Sequence, residues 1–146
     1  MKCNTAQASI TVFAETFAEL VKQGFEVVCL VISSRLSGTY SCASIAAGNV
    51  DPEKISVVDS RSTAGGLALL VKYAADLARK GFPRQEIVKK IKAMREQSGI
   101  VFSVANMDAL RRSGRIGALR QSVGTILNIR PILLCQMCIR DSYETA

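Results

Sequence analysis

Two short apolar runs constrain the fold of this chain more than any other feature. Glu26 to Ile32 (EVVCLVI) and Ile55 to Val58 (ISVV) are rich in β-branched residues and of strand length. The first is too uniformly apolar for a sheet with one face in water, so it reads as a central strand of a parallel sheet buried on both faces. Segments of helical period precede and separate the runs. Residues 9–23 set Ile10, Phe13, Phe17, Leu20 and Val21 on one face, with Lys22 near the end and Gly24 as a stop. Thr39 to Ala47 carries alanines and Ile45 at helical spacing, closed by Gly48-Asn49 ahead of an Asp51-Pro52 loop.

Farther along, Thr63 to Lys80 is apolar on most faces through Leu67, Leu69, Leu70, Val71, Ala74 and Leu77, and is expected to be largely buried. Gly81-Phe82-Pro83 breaks it. Ile87, Val88, Ile91 and Met94 define a further amphipathic helix, and Ile100 to Val104 a third strand. Helix-length connections between strands imply right-handed crossovers and an α/β fold, a parallel sheet covered by helices on both faces. Beyond Ala105 the pattern changes to a short basic helix at Met107–Arg112, a Ser113-Gly114 turn and a helix from Gly117 to Leu127 before Pro131. The expected organisation is an α/β domain over 1–104, the start of a second domain over 105–135, and a tail over 136–146.

That tail is set apart for a specific reason. Residues 136–142 read QMCIRDS, which resembles the in-frame translation of transposon-end DNA used in sequencing libraries, and on that reading the stretch is excluded from fold reasoning. The Cys135/Cys138 pair then loses one member, and with no histidine in the chain a zinc site has no ligand set. The remaining cysteines are scattered, which argues against a disulfide framework, and Cys29 and Cys42 read as buried small hydrophobes.

With 146 residues, 49% of them hydrophobic and 21% charged, the chain suits one compact globular domain. Its longest apolar stretches, such as GLALLV at 66–71, are far too short for a bilayer span. The expectation is a soluble cytoplasmic protein with no membrane span. The net charge of +7 could favour nucleic acid, anionic headgroups or acidic partners, and does not choose among them. Few aromatic residues, none interleaved with the basic ones, give a base-stacking surface little support, so no nucleic-acid partner is expected.

One polar cluster stands out. Residues 32–40 read ISSRLSGTY, where a strand hands over to a helix. In open α/β sheets ligands collect at such strand ends, facing helix N-termini with unpaired N–H groups. A carboxylate or phosphate there would meet the Ser37 hydroxyl and the amides around Gly38 and Thr39. Equally compatible with the local pattern is a plain helix cap by Ser34 or Ser37. Asp59 and Asp108, the isolated acids nearest strand ends, also read as caps. No histidine, nucleophile elbow, Walker loop or paired carboxylates accompany the hydroxyls, so nothing activates a serine and no enzyme is expected.

Several stretches together resemble one family. Thr5-Ala6-Gln7-Ala8-Ser9 is similar to its T-S-Q-P-S segment, ISSRLSGTY to I-S-S-x-L-S-G-T-Y, VVDSRSTAGG to V-I-D-S-R-S-x-x-x-G, and LRRSGRIG with LNIRPIL to G-G-R-I-G and L-x-I-K-P-I-L. These are segments of the DegV family of bacterial fatty-acid-binding proteins, and the resemblance runs over residues 4–134. It implies a protein without a cofactor that binds a long-chain fatty acid between two domains and presents the carboxylate to a fatty acid kinase, which forms an acyl phosphate. By position, Thr5 and Ser37, with Gly38 and Thr39, would hold the carboxylate, and Arg115 would lie near the headgroup or face the kinase. Ala6 and Ala8 depart from the family's Ser and Pro. The family's opening T-D-S strand and most of its second domain, including a histidine of the carboxylate site, have no counterpart here, which implies a fragment. The rival reading is an enzyme binding a small phosphorylated substrate at the Ser37 helix terminus.

Overall fold

The computed structural model describes residues 6–103, Gly114 and Arg115, and the backbone of 132–136. Its centre is a pair of parallel strands, β1 (Val27–Val31) and β2 (Ile55–Asp59), in register from Val27 opposite Ile55 to Val31 opposite Asp59. Four helices surround them: α1 (Ile10–Lys22), α2 (Thr39–Val50), α3 (Ala64–Arg79) and α4 (Arg84–Glu96).

Because side chains alternate across a strand, the apolar runs serve two cores. Val27, Cys29, Val31, Ile55 and Val57 point to one face, where they meet Phe13 and Phe17 of α1 and Ala43, Ala46 and Ala47 of α2. Val28, Leu30 and Val58 point to the other and meet Leu70, Ala74 and Leu77 of α3 and Ile87 and Ile91 of α4. The parallel pair is thus covered on both faces, as the uniformly apolar strand required.

Local chemistry sets the helix ends. Ser9 caps α1, its hydroxyl accepting from Val12 N at 3.3 Å, and Gly24 follows in the left-handed conformation (φ 87°). Helix α2 runs past the expected stop at Gly48-Asn49 and ends at Val50. Val50, half-buried, packs against the first core, a contact that offsets part of the roughly 1 kcal/mol that a glycine costs within a helix. The α2–β2 connection is fastened by Arg84, whose side chain is only 9% exposed. Its guanidinium donates to the Ser56 hydroxyl, the Glu53 carbonyl and, at 3.1 Å, the Glu26 carboxylate.

Three expectations need correction. The third strand, β3 (Gly99–Ser103), does not join the parallel pair but runs antiparallel to β4 (Ile132–Gln136), with Gly99 opposite Gln136. Helix α3 buries only Gly66, Leu70, Ala74 and Leu77; Leu69 and Val71 are 60% and 46% exposed, because one stripe of the helix meets the sheet and α4. Cys29 and Cys42 are free thiols and only half-buried. The helices expected at Met107–Arg112 and Gly117–Leu127 lie outside the described residues. Among the described residues no helix is long and apolar enough to cross a membrane.

Candidate functional site

Both strands of the parallel pair end in hydroxyl-rich loops, 32–38 after β1 and 60–63 after β2. In the first, the Ser33 carbonyl accepts from Leu36 N at 2.9 Å and Ser37 N at 3.1 Å, winding the chain through a single turn that sets Ser37 just ahead of α2. The Ser37 hydroxyl lies 2.8 Å from the Thr39 hydroxyl and accepts from Thr39 N at 3.3 Å. The N-cap position itself belongs to Gly38, which has no side chain to offer. The first bond inside the helix runs from Cys42 N to Gly38 O at 3.1 Å, so the Tyr40 and Ser41 amides have no acceptor within α2. Two hydroxyls and the positive pole of the helix therefore stand together.

Gly38 lies close under the end of the Gln7 side chain, which would have to move aside for a larger residue. A Cβ there would fall 2.8 Å from Gln7 Nε2 and 2.9 Å from Gln7 Oε1. Gln7 also donates to Cys42 Sγ at 3.4 Å, which seats the segment before α1 against the first turn of α2. Arg115 is brought to the same loop, its Nε donating to the Leu36 carbonyl at 3.2 Å. Of the residues singled out in the sequence, Ser37, Gly38, Thr39 and Arg115 thus converge. Thr5 and Asp108 lie outside the described residues.

The two loops are tied together by groups that sequence reasoning missed. Asp59 is not a helix cap: Thr63 holds that position before α3, without a side-chain bond. The Asp59 carboxylate instead reaches across to Ser34, accepting from its hydroxyl at 2.6 Å and its amide at 3.2 Å, and takes Arg61 N at 2.8 Å. Ser34 is accordingly not a cap either. Ser33 N donates to Ser62 O at 2.9 Å, and Ser60 N to Val31 O at 3.0 Å. Behind them Arg95, 9% exposed, donates from Nη1 to the Asp59 carbonyl at 2.7 Å. The D-S-R-S motif was the only sequence signal for this lock; its partners are distant in the chain.

An open apolar groove of about 400 Å³ lies elsewhere, lined by Val28, Leu30, Val71, Ala74, Phe82 and Arg84 among others, and none of 33–39 or 59–62 borders it. No cluster of three or more potential metal ligands occurs among the described residues.

Against this geometry, a family model for uncharacterised proteins of the DegV family matches residues 2–137. The chain belongs to the DegV family. A DegV domain-containing protein of Deinococcus radiodurans is 37% identical over 131 residues, covering 90% of this chain and 46% of the relative. One from Staphylococcus aureus is 34% identical over 128 residues, 88% of this chain and 46% of its own length. Among solved structures, a stearic acid-binding protein from Eubacterium ventriosum superposes with a TM-score of 0.80 at 29% identity, over 89% of this chain and 46% of that one. A DegV family protein from Thermus thermophilus, described for its fatty acid binding, gives a TM-score of 0.80 at 33% identity, over 90% of this chain and 46% of its own. The chain thus spans about half the length of these relatives.

Proposed function

We propose that this chain supplies the carboxylate end of a long-chain fatty-acid site. In this reading the hydroxyls of Ser37 and Thr39 and the amides at the head of α2 hold the carboxylate, Thr5 adds a further hydroxyl, and Gly38 keeps the approach open. The observation that carries it is the Ser37–Thr39 hydroxyl pair, 2.8 Å apart at a helix N-terminus that ends a central strand. Similar solved structures, one of a stearic acid-binding protein and one of a DegV family protein described for its fatty acid binding, support the choice of ligand.

A carboxylate suits this place because hydrogen bonds to a charged acceptor are roughly twice as strong as neutral ones and the helix pole adds to them. The role is holding rather than catalysis: the described partners of the Ser37 hydroxyl are Thr39 N and the Thr39 hydroxyl, neither of which removes a proton. The chemistry then falls to a partner, a cytoplasmic fatty acid kinase that moves the terminal phosphoryl group of ATP to a carboxylate oxygen, leaving an acyl phosphate and ADP. Arg115, exposed and anchored through the Leu36 carbonyl, belongs to the surface that meets this kinase.

The test is Ser37→Ala in a protein that carries this chain with the remaining length of its relatives. Losing one donor to a charged group costs about 1.5–3 kcal/mol, so fatty-acid affinity should fall about 10- to 150-fold with circular dichroism unchanged. Unchanged affinity in the folded variant refutes the reading, and a bound sugar phosphate or nucleotide in native mass spectrometry would replace it with an enzyme of small phosphorylated substrates.

A further inference from the structure

Ser37 owes its position to a turn that begins at Ser33, and that turn is fixed by one carboxylate. The Asp59 side chain spends both oxygens on the loops: Oδ2 takes the Ser34 hydroxyl at 2.6 Å, while Oδ1 takes Ser34 N at 3.2 Å and Arg61 N at 2.8 Å. Ser34 lies inside the turn that the Ser33 carbonyl closes onto Leu36 N and Ser37 N. A pull on Ser34 is therefore transmitted to Ser37 within three residues of chain.

Asp59 is itself immobilised. Its backbone is the last rung of the β1–β2 ladder, opposite Val31. Its carbonyl takes Arg95 Nη1 at 2.7 Å, from a guanidinium whose Nη2 also donates to Glu96 at 3.1 Å. An aspartate is a poor strand former, and no ion pair to it accounts for its place among the described residues. Three donors converging on one carboxylate do account for it.

We propose that Asp59 is the positioning residue of the carboxylate site, holding Ser34 so that the 33–37 turn delivers the Ser37 and Thr39 hydroxyls to the ligand. The inference rests on the fatty-acid reading above and adds to it a residue that does not touch the ligand. A positioning role predicts a selective defect: recognition of the head group suffers while the grip on the acyl chain does not.

The experiment compares two probes, hexadecanoic acid and hexadecan-1-ol, on the full-length protein carrying this chain. Their affinity ratio reads the head group, because general loosening of the fold weakens both alike. Ser37→Ala and Asp59→Ala should each lower the preference for the acid by about tenfold or more. The double variant should fall by clearly less than the sum of the two single losses, since both act through the Ser37 interaction and only the Thr39 share is left for Asp59 to remove. Asp59→Asn, which still offers Ser34 an acceptor and a donor, should restore part of the preference. If Asp59→Ala does not fold, Ser34→Ala removes the hydroxyl half of the link while the Ser34 N bond to Asp59 stays, and should show a smaller loss in the same direction.

A preference unchanged in Asp59→Ala, or in Ser34→Ala where that variant stands in, while Ser37→Ala lowers it, overturns the positioning role and leaves the fatty-acid site standing. An unchanged preference in Ser37→Ala itself overturns both. Additive losses in the double variant would make Asp59 an independent contributor and also refute the proposal.

Discussion

Gly66 in the first turn of α3 offers a stability test whose sign can be worked out from the packing. Its φ is not in the left-handed region, so alanine would suit the backbone and gain about 0.5–1 kcal/mol of helix propensity. Space forbids it: a Cβ at position 66 would overlap the Ser62 hydroxyl oxygen and lie 3.3 Å from Ser62 Cβ and 3.8 Å from Ile100 Cβ. Overpacking of this kind costs about 1–3 kcal/mol, so Gly66→Ala should be net destabilising by about 1 kcal/mol. The Ser62 oxygen is buried and has no hydrogen-bond partner among the described residues; an unsatisfied buried hydroxyl is itself unfavourable by about 1–3 kcal/mol. Ser62→Ala should therefore be neutral to stabilising, and in that background Gly66→Ala should lose most of its cost. Urea unfolding of the four proteins in the cycle should give a coupling of about 1–2 kcal/mol favouring the double variant. Gly65→Ala is the control, since its Cβ meets nothing within 4 Å and should stabilise. Additivity within about 0.5 kcal/mol would show that Ser62 does not block position 66 and would refute the packing argument.

Other expectations follow from single groups. Burial pushes the Cys29 thiol pKa up, so the unfolded chain gives up this proton first as pH rises past the ordinary thiol value of about 8.5. Stability should fall there with a slope that Cys29→Ala removes; identical slopes in parent and variant would contradict it. Arg84→Met should cost about 2–3 kcal/mol in urea melts by releasing the Ser56, Glu53 and Glu26 acceptors, and a loss below about 0.5 kcal/mol would mean that the clasp contributes nothing net. Arg115→Ala should leave lipid affinity within about twofold yet slow kinase-dependent acyl phosphate formation, more so at low salt where charge steers association. Parallel loss of affinity and turnover would place Arg115 in the pocket.

The strands and helices that build the two cores were legible because their pattern is local. EVVCLVI announces a strand buried on both faces, and Phe13 and Phe17 fall on the side of α1 that the sheet accepts. Failures arose where a distant partner decides. Nothing in GIVFS tells that it pairs with residues beginning at Ile132, and a short apolar run carries no mark of parallel or antiparallel neighbours. The same holds in the candidate site. Its hydroxyls could be read from ISSRLSGTY, but Asp59 finds Ser34 across 25 residues and Arg95 reaches Asp59 across 36. Taken alone, an aspartate before Ser-Arg-Ser is indistinguishable from a helix cap.

The unequal lining of the two cores has a mechanical consequence. Helix α2 rests on Ala43, Ala46 and Ala47, at most 6% exposed, whereas α3 and α4 rest on Leu70, Leu77, Ile87 and Ile91. The buried methyl groups of α2 have no rotamers to exchange, so α2 has fewer ways to shift on the sheet by re-sorting its own side chains than α3 and α4 have. Leucines and isoleucines can absorb displacement by changing χ angles. One face behaves as a stiff bearing and the other as a compliant one. The pole of α2 is on the stiffer side, so its aim relative to the end of β1 should shift less under strain than the positions of α3 and α4 behind the sheet.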